Sequence, residues 1–214
     1  MILVFIVVLE DGTVYSTPME KDDLFKIAFE KFDAANSLDP RQWTVDGKSY
    51  PQECFFAELH TKWILKLDPD ASDALLLASR CQHICRWEIP RKSYPMDRAG
   101  YLRWRSDLKK FHANKAGEIL REIGFAEDTI SRVQELNLKK NLQNDRECQM
   151  LEDALCLTFM EYQFDALIAG TEEEKMIKIV QKTWGKMSES GHEEALKLNF
   201  SEVALAVVQK ALAN

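Results

Sequence analysis

Along most of the chain the apolar positions recur at three and four residues, the spacing of an amphipathic helix. Leu24, Ile27, Ala28 and Phe32 open the pattern from Asp22 onward, with acidic residues at its start. Residues 36–50 break it: Asp39-Pro40 and Asp46-Gly47 are turn formers, which predicts a loop. A second helix is predicted over residues 52–67, opening at Pro51, where proline is tolerated, and ending before Asp68-Pro69. Asp70 or Ser72 caps a third, whose run from Ala74 to Ala78 is apolar nearly all round, the mark of a helix buried on most sides. It is expected to stop near Ile89-Pro90, because the residue before proline avoids helical geometry. Further helices are predicted over residues 98–123, closed by Gly124, and over 127–140, 145–169, 172–187 and 201–213. At the other end, Met1 to Leu9 is apolar and Asp11-Gly12 separates two β-prone stretches, which predicts a hairpin within residues 1–20.

The expected class is therefore all-α, one domain of about eight helices over residues 21–214 behind a short N-terminal β-hairpin. Composition agrees, since 8 Gly and 6 Pro in 214 residues leave few breakers for an all-β fold. Met1 to Leu9 lacks a basic leader and is too short to span a bilayer, so no membrane association and a cytoplasmic location are expected. The five cysteines match no zinc spacing and read as reduced core thiols. A net charge of −7 argues against a whole-molecule grip on nucleic acid, leaving that partner possible but not favoured, and any anion site must be local. The apolar hairpin permits a homodimer without requiring one.

Charge segregation supplies such a locality. Between Arg80 and Lys110 nine basic residues face three acids, a local net of +6, so the remainder of the chain carries −13. Six of the nine are arginines, the residue suited to bidentate recognition of phosphate or carboxylate. Trp87, Tyr94, Tyr101 and Trp104 interleave them, placing flat rings beside guanidinium planes. Arg80, Arg86, Trp87, Arg91, Arg98, Tyr101, Trp104 and Arg105 are thus candidates for binding an anionic small molecule or nucleotide. The plainer alternative is that these arginines pair with acids of neighbouring helices.

His83 lies in the near-apolar third helix, His112 ends a basic amphipathic face, and Glu152-Asp153 sits in an otherwise apolar helix. A buried ionisable group needs a partner. His83, His112 and Asp153, if they converge, make a divalent-metal site or an acid–base pair, with Gln82 beside them; spacing alone leaves open a purely structural network.

Gln82-His83-Ile84, Arg86-Trp87, Ile89-Pro90-Arg91, Tyr94-Pro95, Gly100-Tyr101-Leu102, Trp104-Arg105 and Phe111-His112-Ala113 together resemble the signature of an uncharacterised family, domain of unknown function 4202. Asp33-Ala34-Ala35-Asn36 with Asp39-Pro40, Asp68-Pro69-Asp70-Ala71-Ser72, Leu151-Glu152-Asp153-Ala154 with Cys156-Leu157, and Lys182-Thr183-Trp184 with Lys186-Met187-Ser188 resemble further blocks of it. A more distant resemblance is to the HD superfamily of metal-dependent phosphohydrolases. It implies an HD-like multi-helix domain and hydrolysis of a phosphorylated substrate. In that overlay Gln82-His83 stands where the adjacent His-Asp pair would be, His112 matches an auxiliary histidine and Asp153 the last metal ligand. Catalytic roles then fall to Gln82, His83 and Asp153, and the metal to His83, His112 and Asp153. His60 lies near the place of the first histidine.

Overall fold

The computed structural model describes residues 4–8, 14–18, 21–142 and 144–213. Helix dominates, with ten α-helices and two two-stranded antiparallel sheets among the described residues. β1 (Val4–Val8) pairs with β2 (Val14–Pro18), Val8 opposite Val14. The predicted hairpin is therefore present, although its Asp11-Gly12 turn lies outside the described residues.

The chain divides into two compact units, one of residues 1–57 and 72–140, the other of residues 58–71 and 141–214. The first holds α1 (Lys21–Asn36), β3 (Gln42–Val45), β4 (Lys48–Pro51) and the first turns of α2 (Gln52–Leu67). It also holds α3 (Asp73–Cys81), α4 (Arg98–Ile123) and α5 (Glu127–Leu138). Its core is built from Phe32, Leu75, Leu77, Ile84, Leu120, Ile130 and Leu136, all removed from solvent. Ser72 caps α3 by accepting from the Leu75 amide at 3.2 Å, and Asp97 caps α4 by accepting from Gly100 at 2.7 Å.

Where a loop is predicted over residues 36–50, the chain instead forms the β3/β4 hairpin. Asp46 and Gly47 both take positive φ, 50° and 74°, the pair of left-handed residues that a two-residue hairpin turn demands. Trp43 and Tyr50 lie opposite each other in register. The Trp43 ring packs 5.0 Å from Phe56 and the Tyr50 ring 5.5 Å from Phe55, so the hairpin's aromatic side rests on α2. A second departure concerns α3, which ends at Cys81 rather than near Ile89. Cys85, at φ 52° and ψ 32°, turns left-handed and leads into short 3-10 turns at Arg86–Glu88 and Arg91–Ser93.

The second unit holds the remainder of α2, α6 (Arg146–Thr158), α7 (Phe164–Ile168), α8 (Glu173–Trp184), α9 (Glu189–Ala195) and α10 (Glu202–Leu212). The continuous helix predicted over residues 145–169 is interrupted by a π-turn at Phe159–Gln163, where Glu161 accepts the indole N–H of Trp63 at 3.0 Å. No described helix is long and apolar enough to cross a membrane.

Candidate anion-binding site

The site is assembled where α3 gives way to the turn that precedes α4. Asn36, at the end of α1 and almost fully buried, accepts the Cys85 amide through its side-chain oxygen at 3.0 Å. That bond fixes the left-handed residue, a conformation strained for a side chain with a Cβ. Burial pushes the Cys85 thiol up to about 12, so it stays protonated and is no nucleophile.

Arg86 is the first residue after this turn. Its guanidinium lies 5.1 Å from the Trp104 ring, and the Trp104 indole N–H is anchored to the Ile89 carbonyl at 2.8 Å. Burial is the main cause holding the Arg86 pKa below its ordinary value; Arg41 and Arg105 add repulsion, and Glu53 opposes them. Glu53 is itself buried, and desolvation raises its pKa against the pull of Arg86 and Arg41. Arg41 donates to Glu53 at 2.7 Å and holds Asp39 in a fork of two 2.9 Å bonds. Asp39 also accepts the Glu53 amide at 3.1 Å. Two buried carboxylates thus lie between the half-exposed Arg41 and Arg86, and Arg86 is the guanidinium beside the aromatic side chains of α4.

Two histidines border this network. The His83 Nδ1 stands 4.0 Å from Glu53, and the His83 and His112 rings are 5.8 Å apart. His112 Nδ1 lies 2.8 Å from the Ile84 carbonyl oxygen; a carbonyl can only accept, so Nδ1 carries the proton. Burial, reinforced by Arg86, depresses the His112 pKa to about 4, so the ring is neutral near pH 7. Its Nε2 lone pair is buried without a protein partner, as are both amide atoms of Gln82.

The other predicted binding residues divide by role. Arg80 is committed to Asp33 in a two-bond fork of 2.7 and 2.6 Å, matching the alternative in which a patch arginine answers a neighbouring acid. Arg91 donates to the carbonyls of Tyr94 and Asp97 at 3.1 and 3.2 Å and so pins the loop before α4. Tyr94 donates to Asp107 at 3.0 Å, a further pin. A Cβ on Gly100 would lie 2.1 Å from the Pro95 carbonyl oxygen, so only glycine lets the first turn of α4 close on that loop. Arg105 stands 5.9 Å from the Tyr101 ring, with Tyr101 itself exposed. Trp87 is half-buried and Arg98 exposed.

The sequence pattern of a family described as Domain of unknown function (DUF4202) matches residues 26–208. The chain belongs to this family. No curated protein and no solved structure matches it.

The DUF4202 description assigns no activity, so chemistry must be read from the side chains. Asp153 belongs to the second unit, where its carboxylate accepts from Gln149 at 3.0 Å and from the Ser188 amide and hydroxyl at 2.8 and 2.6 Å. Ser188 in turn caps α9, so Asp153 anchors that helix. Glu152 pairs with Lys186 at 3.2 Å. Among the described residues no group of three or more His, Cys, Asp or Glu side chains is placed to hold a metal ion. His83 and His112 lie in the first unit and Asp153 in the second. His60 is buried in α2, within the second unit.

Glu53 and Arg41 carry no mark of chemistry in the sequence beyond their type, and Asn36 and Asp39 are marked only by the family-like block that holds them. The available signal is a carboxylate in the first turn of an apolar helix, preceded by Asp39-Pro40-Arg41.

Proposed function

We propose that this DUF4202 chain binds a small phosphorylated ligand of nucleotide type. The phosphate sits at Arg86 and Arg105, and the flat group lies against Tyr101 and Trp104. The observation that carries the reading is Arg86: a largely desolvated guanidinium beside Trp104, whose neighbour Arg41 is already paired with Asp39 and Glu53 while Arg105 adds repulsion, is a place where an anion is favoured. Arg91, Tyr94 and Gly100 are positioning residues, fixing the loop that presents the patch.

A second reading, turnover of the bound ligand, is favoured by His112. The ring is neutral near pH 7, and its buried, unpartnered Nε2 can accept a hydrogen bond from a ligand hydroxyl or water that enters the interior beside it.

The test is the thermal midpoint with inorganic phosphate, adenosine monophosphate or adenosine added. A ligand of the folded state raises the midpoint with concentration. The two phosphorylated compounds should raise it and adenosine should not. Equal response to adenosine, or none to any phosphate, would remove the reading, and phosphate release from the nucleotide would select turnover.

A further inference from the structure

A groove of about 570 Å³ opens on the second unit, where α9 gives way to α10. Leu196, Leu198, Phe200, Leu205, Val208 and Leu212 form most of its lining, and none of the nine residues around it is charged. Val208 is buried and the Phe200 ring stands 6.2 Å from Phe164, so the inner side of the groove is continuous with the core. The outer side is uncovered: Leu196, Leu205 and Leu212 are 67, 43 and 39% exposed, and Val203, two positions before Leu205, is 61% exposed. A cluster of this kind holds apolar area in water that a partner would remove from it.

Charge selects the partner. The second unit holds 16 acids against 9 bases, so the chain's whole net charge of −7 falls on it and the first unit is balanced. The two bases nearest the groove in sequence are already paired within the unit, Lys197 with Glu194 at 2.6 Å and Lys210 with Glu173 at 2.8 Å. Glu193 and Glu202 are exposed acids, each three positions before a groove leucine, Leu196 and Leu205, the spacing of neighbours on a helix face. A second copy seated symmetrically on the groove would set these acids against themselves, whereas a cationic partner is drawn to them.

We infer that this groove takes an amphipathic helix of another protein, rich in lysine or arginine, with its apolar face against Leu196, Leu205 and Leu212 and its cations toward Glu193 and Glu202. Helix-in-groove recognition uses apolar anchors one turn apart on the bound helix, and an uncharged trough flanked by acids suits such anchors with basic residues beside them. The inference is independent of the phosphate reading, because every residue in it belongs to the second unit.

The probe is a synthetic helix of roughly four turns with leucine on one face and lysine on the other, compared with a helix of the same leucine pattern that carries glutamate. Fluorescence anisotropy with the full chain at about 0.1 M salt should show saturable binding of the Leu/Lys helix, at least about tenfold tighter than the Leu/Glu helix. Leu196→Gln/Leu205→Gln should weaken that binding by about tenfold or more, the effect of removing two central apolar anchors. Glu193→Gln/Glu202→Gln should weaken it and flatten its salt dependence. Leu38→Gln/Leu102→Gln, a matched change at two exposed leucines of the first unit, should leave the affinity unchanged. Circular dichroism verifies that each variant is folded. No binding of the Leu/Lys helix, equal binding of the two helices, or unchanged affinity in the folded Leu196→Gln/Leu205→Gln protein overturns the inference. So does self-association of the wild-type chain, read by sedimentation, that Leu196→Gln/Leu205→Gln abolishes, since the occupant is then a second copy.

Discussion

His112 shows how one buried residue ties stability to pH. Its folded pKa of about 4 lies below the unfolded value of 6.5, so the unfolded chain takes up a proton first as pH falls. The stabilisation is complete above the unfolded pKa and is lost as pH falls through the folded one. A shift of that size corresponds to about 3 kcal/mol. His112→Asn keeps a donor for the Ile84 carbonyl but cannot titrate. Urea unfolding from pH 7 to pH 4 should therefore show the wild type losing about 3 kcal/mol more than the variant; parallel pH profiles would contradict the assignment. The sequence marked His112 as the end of a basic amphipathic face, and the structure buries it with a partner for Nδ1. The depressed pKa was not legible, because it depends on burial and on Arg86, which a sequence does not place beside a histidine 26 positions further on. Asp153 teaches the reverse lesson. A carboxylate in an apolar helix does require a partner, and here the partners are Gln149 and Ser188.

At the scale of elements, two close approaches are testable. A Cβ on Gly191 would lie 2.8 Å from Asp153 Oδ1, so Gly191→Ala should disturb the contact that anchors α9. A loss of about 1–3 kcal/mol is expected by chemical denaturation, with phosphate binding by the first unit unchanged. Gly100→Ala, which sets a methyl against the Pro95 carbonyl, should lower both stability and ligand affinity, since it displaces the loop that carries Arg91 and Tyr94. Unaltered affinity in that variant would mean that the loop does not position the patch. Amphipathic periodicity made α1, α2 and α4 readable, together with the caps at Ser72 and Ser201. It failed where local chemistry yields to context. The β3/β4 hairpin has only four residues in each strand, and its aromatic residues acquire meaning only against Phe55 and Phe56 of α2. The π-turn at Phe159–Gln163 inserts no breaker residue, so the pattern over it reads as continuous helix. The α3 stop before Ile89 depends on Asn36 holding Cys85 in a left-handed turn, a contact across 49 positions.

For the whole molecule, charge segregation was legible and its use was not. The +6 of residues 80–110 includes Arg80, which is neutralised by Asp33, and Arg91, which serves the loop. The proposed site takes two of the remaining seven, Arg86 and Arg105, with the rings of α4, in a chain whose net charge is −7. A local cationic patch on an acidic protein is screened by salt, over about 10 Å at 0.1 M. Phosphate affinity should therefore weaken between 50 and 200 mM salt, roughly as a one- or two-charge contact does and far less than the thousandfold or greater loss of a duplex-DNA binder. A steep, many-charge salt slope would point to a polymeric partner instead.

The most direct test of the account is calorimetric titration of adenosine monophosphate into the wild-type chain and into Arg86→Gln, with folding of each verified by circular dichroism. The account predicts saturable one-to-one binding to the wild type and a loss of at least about tenfold in the variant, the loss expected when a charged hydrogen-bond donor to phosphate is removed. Equal affinity in the two folded proteins would contradict the assignment of Arg86 as the centre of the site.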